Sequence, residues 1–237
     1  MTFDMHAAMA AALVERGAAW EFVRGFAADR ATAIEAGDGC DGAALDACEA
    51  RLGLALPVAV RELYELLGRR GDLTSNQDVL LGPEKIYVED GVLVFREENQ
   101  GVCWWGVRLD DPSPDPAVIV RFDGAPPEGG EWFGWLPAFS VAAVEMVMSE
   151  TVLFDDDLVD ACDTSEVADE ALEVLRAHVP SLAFPRYPDD DEDGGSLWFV
   201  SEDLLVRWDP GMATVRARTE EALDAIGELL PGEWIGM

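Results

Sequence analysis

The first pattern in this sequence that could carry chemistry is rich in glycine. Gly37-x-Gly39-x-x-Gly42 matches the phosphate-binding fingerprint of dinucleotide-binding folds letter for letter. In that fingerprint the glycines follow a β-strand and open a helix, so that backbone amides can approach a pyrophosphate. An alanine-rich stretch with helical periodicity precedes the glycines here. The pattern therefore predicts a flexible loop between two helices rather than a nucleotide site.

A second pattern matches the first half of a calcium-binding loop. Asp189-x-Asp191-x-Asp193-Gly194 supplies the early carboxylates of an EF-hand, but position twelve needs a carboxylate that binds calcium through both oxygens. Val200 stands at that position, and an apolar side chain offers no oxygen. The pattern therefore predicts a solvated acidic turn.

Zinc binding and nucleophilic catalysis need clustered cysteines or histidines. The chain has only two histidines, His6 and His178, and its four cysteines include no C-x-x-C pair. It also lacks a G-x-S-x-G elbow and a Walker loop. The sequence thus predicts a protein that is not an enzyme and uses no metal or cofactor, with reduced thiols at Cys40, Cys48, Cys103 and Cys162.

Charge is the strongest remaining signal. The 48 acids against 16 bases give a formal net charge of -32, and no lysine or arginine lies between Arg121 and Arg176. Such a surface repels nucleic acid and anionic membranes, and it attracts basic proteins. Adaptation of a whole proteome to salt is the alternative explanation.

Tryptophans near these acids could anchor a protein partner. Trp104 and Trp105 are neighbours on a predicted strand, so they must face opposite ways, and one of them is exposed or covered by a loop. Packing under the C-terminal segment is the alternative. The candidate partner-binding residues are Asp155, Asp156, Asp157, Asp160, Asp163, Glu166, Asp169, Glu170, Trp104, Trp105, Trp132 and Trp135.

The elements that must position these residues begin with helices. Apolar spacing predicts one helix over residues 5–36 and a second from the N-cap Asp41 to Gly53. A third helix starts at Pro57, should bury Tyr64, and stops at Gly68.

Strands follow the helices. Residues 86–88 and 92–95 flank the turn Glu89-Asp90-Gly91, and residues 102–109, 118–122 and 132–136 form further strands. A helix capped by Ser140 should carry apolar residues on one face and pack on the sheet. This order predicts an α+β fold with a central antiparallel meander flanked by helices.

The C-terminal part is predicted to form an αβββα extension. The acidic segment 155–163 is predicted to be a joint, followed by a helix over 164–178, strands at 197–200, 204–208 and 213–218, and a helix capped by Thr219. We divide the chain into a domain at 1–157, with an N-terminal helical extension at 1–40, and an extension at 158–237 packed on the same body.

Two segments resemble the SUKH superfamily, which contains fungal cell-wall-synthesis regulators and bacterial immunity proteins for polymorphic toxins. The resemblance covers residues 43–153. Its motifs are Glu49-x-x-Leu52-Gly53-x-x-Leu56-Pro57, Arg61-Glu62-x-Tyr64-x-x-Leu67-Gly68, and Glu98-Asn99-Gln100-Gly101 followed by Trp104. It implies an antiparallel sheet flanked by helices and a non-enzymatic role, commonly neutralising a toxin that is often a nuclease.

Charge and resemblance together predict a cytoplasmic immunity protein that binds a basic toxin stoichiometrically. No apolar run approaches the ~20 residues needed to span a bilayer, and residues 1–12 lack the features of a signal peptide. The first alternative is a regulatory scaffold of the same fold. The second is an enzyme or small-ligand binder with a pocket between the sheet and the C-terminal segment.

Overall fold

The structure, a computed structural model, describes residues 3–122, 131–154, 156–188 and 195–236. Within these ranges the chain forms eight helices and eleven strands. The helices are α1 (Met5–Ala12), α2 (Arg16–Arg30), α3 (Gly42–Leu52), α4 (Val58–Leu67), α5 (Gly71–Thr74), α6 (Phe139–Val152), α7 (Ala168–His178) and α8 (Glu220–Leu229). The strands are β1 (Val79–Leu80), β2 (Tyr87–Glu89), β3 (Val92–Glu97), β4 (Cys103–Arg108), β5 (Val118–Phe122), β6 (Phe133–Leu136), β7 (Val159–Asp163), β8 (Leu197–Val200), β9 (Leu204–Asp209), β10 (Met212–Ala217) and β11 (Glu233–Trp234). The calcium-like pattern at 189–194 lies outside the described residues.

The first sheet is an antiparallel meander. Its order is β1-β3-β4-β5-β6, and β2 also pairs with β3. The strands β3, β4 and β5 are sequential antiparallel neighbours, which confirms the predicted meander and the α+β fold class. The hairpin between β2 and β3 turns at Asp90 and Gly91, which both have positive φ, as a two-residue hairpin turn requires.

The N-terminal segment forms two helices, so the single helix predicted over residues 5–36 is wrong. The chain turns at residues 13–15, and α1 packs back against α2. Met9 and Phe26 are fully buried in one core. Apolar periodicity does not reveal this turn, because a helical hairpin and a straight helix can bury the same stripe of residues.

The next two helices follow the prediction closely. Asp41 caps α3 by accepting a hydrogen bond from the amide of Ala44 at 2.8 Å, and Gly53 ends the helix with φ of +70°. On α4, Tyr64 and Leu67 are fully buried. The Tyr64 hydroxyl donates to the carbonyl of Leu81 at 2.6 Å, which satisfies its polar end.

The helix α6 is the central element of the fold. It contacts β6 of the first sheet, β9 and β10 of the second, and the helices α2, α4 and α5, so all fourteen of its residues are buried. The predicted single apolar face is therefore wrong, and the helix is enclosed on all sides. The predicted cap at Ser140 is also wrong. Asp115 accepts from the Ser140 amide at 2.8 Å and from its hydroxyl at 2.6 Å.

The second sheet is antiparallel with the order β11-β7-β10-β9-β8. The three predicted C-terminal strands and the Thr219 cap of α8 are confirmed. The predicted joint at 155–163 is wrong where it meets β7, whose Val159 and Ala161 are buried despite the acids beside them. Residues 164–167 form a turn, so α7 begins at Ala168, and β11 was not predicted.

The two sheets contribute to one continuous core. Tyr187, Trp198 and Leu205 from the C-terminal part belong to the same buried cluster as α6 and the first sheet. The helices α7 and α8 cover the opposite face of the second sheet, where Leu175 and Ile226 join a smaller cluster. The predicted domain division after residue 157 stays a prediction.

Candidate functional site

The acids of the stretch without bases fall into two environments. Glu145 and Glu150 lie on α6 and are buried, with side-chain exposures of 2% and 0%. The acids that follow α6 are mostly exposed. The prediction that the whole stretch lies on the surface is therefore wrong for the two glutamates of α6.

The buried glutamates surround one arginine of the first sheet. Arg96 on β3 is 3.2 Å from Asp78 and 3.5 Å from Glu145, and it also bonds Glu150. Glu150 accepts hydrogen bonds from the backbone amides of residues 76, 77 and 78, at 2.6, 2.7 and 3.2 Å. A buried charge persists only when such partners compensate its loss of hydration, and this cluster supplies them.

Side chains from the C-terminal part complete the cluster. The Tyr187 hydroxyl donates to Glu145 at 3.0 Å, and the indole of Trp198 donates to the Tyr187 hydroxyl, also at 3.0 Å. Burial raises the pKa of Tyr187 well above its ordinary value, so the phenol stays neutral and remains a donor. We call Asp78, Arg96, Glu145, Glu150 and Tyr187 the buried charge cluster; it joins both sheets through α6.

The buried charge cluster has no room for a substrate. The cavity beside Arg96 and Glu145 measures about 10 Å³, which is roughly the space of one water molecule. The Nε of Arg96 and the indole nitrogen of Trp105 are buried there without a hydrogen-bond partner among the described residues. The geometry fits a structural ion network with a single water at most.

Sequence reasoning missed this cluster, although a signal for it was present. Arg96 follows the apolar run of residues 92–95 in a strand, and Glu145 and Glu150 interrupt a helix that is otherwise almost wholly apolar. Isolated charges of opposite sign in two apolar elements indicate buried partners, because neither charge can be buried alone.

The four candidate tryptophans divide as strand alternation predicts. Trp105 and Trp135 are core residues whose rings meet edge to face at 5.8 Å, so they offer no surface to a partner. Trp104 and Trp132 lie half-buried on the outer face of the first sheet. The guanidinium of Arg121 lies between them, 4.8 and 5.1 Å from the two ring centres.

The exposed candidates lie in three places: Asp157 just before β7, Asp163 and Glu166 at the end of β7 and in the turn that joins it to α7, and Asp169 and Glu170 on α7. We call them the acidic face: Asp157, Asp163, Glu166, Asp169 and Glu170. Glu173, which is not among the predicted candidates, is also exposed and continues the same row one helical turn along. None of these six carboxylates forms an ion pair with a described residue.

Three other predicted acids behave differently. Asp156 forms an ion pair with Arg216 of β10, a cation that is sixty residues away in sequence. Asp160 is half-buried and accepts from the amide of Gly236 at 2.9 Å. Asp155 lies outside the described residues. The absence of bases between Arg121 and Arg176 thus does not leave Asp156 without a cation, because Arg216 comes from a strand near the far end of the chain.

Asp163 has a local role within the acidic face. Its carboxylate accepts from the hydroxyl of Ser165 at 2.6 Å and from the amide of Ser165 at 2.9 Å. These hydrogen bonds lower the pKa of Asp163. Asp163 therefore stays ionised and fixes the turn that leads into α7. Asp169 and Glu170 lie in the first turn of α7, where their negative charges interact favourably with the helix dipole.

The structure separates the two half-buried tryptophans from the acidic face. Trp104 and Trp132 lie on the face of the first sheet turned away from α6, whereas α7 covers the face of the second sheet turned away from α6. The prediction that both groups form one surface is thus not met by this arrangement.

Internal pairing of the cations leaves the acidic face uncompensated. Among the residues that the structure describes, twelve of the fifteen arginines form ion pairs with carboxylates. Several of these pairs fix the fold, as Arg216 does with Asp156. The net charge of -32 is consequently carried by acids such as those of the acidic face.

No protein-family model, no curated protein and no solved structure matches the chain. The resemblance of residues 43–153 to the SUKH superfamily stays a prediction that rests on its motifs. Within the described ranges, no group of three or more histidine, cysteine, aspartate or glutamate side chains is arranged to hold a metal ion. Among the helices described, none combines the length and apolar character needed to cross a membrane.

Proposed function

We propose that this protein binds a basic protein partner stoichiometrically in the cytoplasm, as an immunity protein binds a toxin, and that it does so without catalysis. The observation that supports this most is the acidic face: exposed carboxylates before β7, in the turn that follows it and on α7, with no ion pair to a described residue. Complementary charge of this kind speeds association and selects partners.

A nuclease toxin is the partner class that fits this chemistry best. An enzyme that cleaves nucleic acid presents a basic surface to phosphates, and a rigid array of carboxylates can occupy that surface. The long-range field of a protein with a net charge of -32 would raise the rate of encounter. The resemblance to the SUKH superfamily supports the same assignment independently of charge.

The test compares two variants that carry the same loss of charge. The first neutralises exposed acids of the acidic face and leaves Asp156, Asp160 and Asp163, which hold local structure, untouched. Its substitutions are Asp157→Asn, Glu166→Gln, Asp169→Asn and Glu170→Gln. The matched control neutralises four exposed acids of the N-terminal half: Glu15→Gln, Glu35→Gln, Glu84→Gln and Asp90→Asn.

Association with a basic nuclease domain is measured at two ionic strengths, together with the nuclease activity that remains at equimolar mixing. We expect the acidic-face variant to associate about tenfold more slowly at low salt, with a flatter salt dependence, and the control to change far less. Equal on-rates for both variants would remove the acidic face from the mechanism.

A further inference from the structure

Three arginines converge where the end of α2 meets β10. Arg30 is the last residue of α2, Arg216 lies on β10, and Arg218 follows directly after that strand. Adjoining cavities of about 230, 300 and 660 Å³ are lined by these side chains, and Arg30 lines all three. These three guanidinium groups share only two carboxylate partners among the described residues: Asp29 pairs with both Arg30 and Arg218, and Asp156 pairs with Arg216.

The cavity of 300 Å³ has the lining of a small polar site. The cavity lies between the end of α2, the short helix α5, the end of α6 and the strand β10. Its lining side chains include Arg30, Thr32, Asp72, Thr151, Phe154 and Arg216. Two guanidinium groups, two threonines and one aromatic ring form this wall. Sites for small organic molecules combine apolar surface with a few polar groups in this way.

Arg30 retains hydrogen-bonding capacity at this cavity. Its Nε donates to Asp29 at 3.0 Å and its Nη2 to the carbonyl of Ser201 at 2.6 Å, while Nη1 has no acceptor among the described residues. The side chain is only 7% exposed. Burial and the like charge of Arg218 lower the pKa of Arg30, while Asp29 and Asp203 act against them.

Arg216 forms the opposite wall. Its Nη2 is paired with Asp156, while its Nη1 is shared between the carbonyls of Thr151 and Phe154 at 3.3 and 3.2 Å, contacts longer than strong guanidinium hydrogen bonds. The hydroxyl of Thr151 is buried without a hydrogen-bond partner among the described residues.

The carboxylate in the wall does not neutralise these arginines. Asp72 bonds Arg70 through both of its oxygens, at 2.8 and 2.7 Å, and these bonds hold the pKa of Asp72 below its ordinary value. Its charge is therefore already committed to Arg70.

We propose that the cavity between Arg30 and Arg216 binds a small organic anion through a phosphate or carboxylate group. Guanidinium groups favour both oxyanions, because their planar donors match the spacing of the oxygens. The exposed ring of Phe154 provides an apolar side to the same space. This is a second ligand class, separate from the basic protein proposed above, and its test needs no protein partner.

Thermal unfolding of the full chain tests the proposal, with inorganic phosphate in one series and acetate in the other, each against sodium chloride at equal ionic strength. We expect the melting temperature to rise along a saturating curve, since a ligand that binds only the folded state stabilises it by mass action. If the melting temperature saturates with phosphate alone, the site binds phosphate groups. If it saturates with acetate alone, the site binds carboxylate groups. Saturation by neither anion would overturn the proposal.

Variants locate the site. Arg30→Gln and Arg216→Gln should each weaken binding at least about tenfold, because each removes a charge-assisted hydrogen bond to the anion. The matched control is Arg24→Gln on the same helix, whose side chain is half exposed and whose one ion pair among the described residues is with Glu21, at 3.9 Å. If the melting temperature rises linearly with phosphate concentration and equally in all variants, phosphate acts by exclusion from the protein surface. That result would contradict the proposed site.

Crystals of the unaltered protein provide a test that does not depend on the variants folding. Soaking with tungstate, an electron-rich oxyanion, should give a peak within hydrogen-bond distance of Arg30 and Arg216. Tungstate peaks found only elsewhere on the molecule would overturn the assignment.

Discussion

The buried charge cluster and the acidic face take their carboxylates from the same stretch of sequence, yet they use them in opposite ways. Glu150 on α6 is fully buried and bonds Arg96 and three backbone amides. Glu170 on α7 is exposed and forms no ion pair with a described residue. The two glutamates lie twenty positions apart in the sequence, yet one is enclosed in the core and the other is exposed on the surface.

The difference teaches that the partner element, and not the residue, sets the role of a carboxylate. The helix α6 lies between two sheets, so its acids must find buried cations or donors. The helix α7 covers only one face of one sheet, so its acids remain in water, where a carboxylate needs no partner. Variants at matched positions in α6 and α7 test this difference.

The largest effect should come from Glu150→Gln. The substitution leaves Arg96 short of a buried counter-charge, and loss of one member of such a network costs about 3–5 kcal/mol. The matched control Glu170→Gln should change the free energy of unfolding by less than about 0.5 kcal/mol. Urea denaturation measures both, and similar costs for the two variants would contradict the division into buried and exposed acids.

Tyr187→Phe should have the next largest effect. The ring still packs against Trp135 at 4.9 Å, but the acceptor of Trp198 and the donor to Glu145 are lost. Buried groups left unsatisfied cost about 1–3 kcal/mol.

The control for this variant is Tyr87→Phe on β2, whose side chain is only half-buried, so that water can reach it. It should cost less than about 1 kcal/mol by the same denaturation measurement. A larger loss at Tyr87 than at Tyr187 would argue against a structural role for the buried charge cluster.

The pH dependence of the free energy of unfolding should show whether the pKa of Asp78 is raised in the folded protein. Burial raises the pKa of Asp78 to about 6, and Glu150 and Glu145 add to the effect of burial while Arg96 opposes it. Between about pH 4 and pH 6 the folded protein then holds a proton that the unfolded chain releases. Asp78 therefore contributes stability at low pH that is lost as the pH rises through about 6.

The variant Asp78→Asn cannot titrate, so it should gain stability relative to the unaltered protein as the pH rises from about 4 to about 7. The expected gain is about 1–2 kcal/mol, since solvent reaches part of the side chain and weakens the effect. Denaturation curves of both proteins across this range measure it. Parallel curves would show that Asp78 keeps an ordinary pKa.

The smallest effect on stability should come from the pair Asp169→Asn and Glu170→Gln. Loss of two charges from the first turn of α7 weakens the interaction with the helix dipole, and relief of repulsion within the acidic face offsets that loss. We expect a net change below about 0.5 kcal/mol in the free energy of unfolding. A change above about 2 kcal/mol would show that these acids serve the fold and would weaken the proposed partner face.

Local sequence signals predicted most elements of the first sheet and several helix ends. The turn at Asp90 and Gly91, the cap at Asp41 and the cap at Thr219 depend on residues within three or four positions of each other. Periodicity placed Tyr64 and Leu67 in the core. Within the candidate site, the sequence alone located the exposed acids of α7, because these acids are close together in one predicted helix.

The sequence by itself thus determined the antiparallel meander, the strands β8 to β10 and the excess of negative charge, since these depend on composition and near neighbours. Only the tertiary structure decided which acids are buried. Arg96 reaches Glu150 across 54 positions of sequence, Asp115 caps α6 from another loop, and Arg216 pairs with Asp156 from a strand near the other end of the chain. The enclosure of α6 between two sheets creates these contacts, and neither a charge run nor a helical period records which elements will pack together.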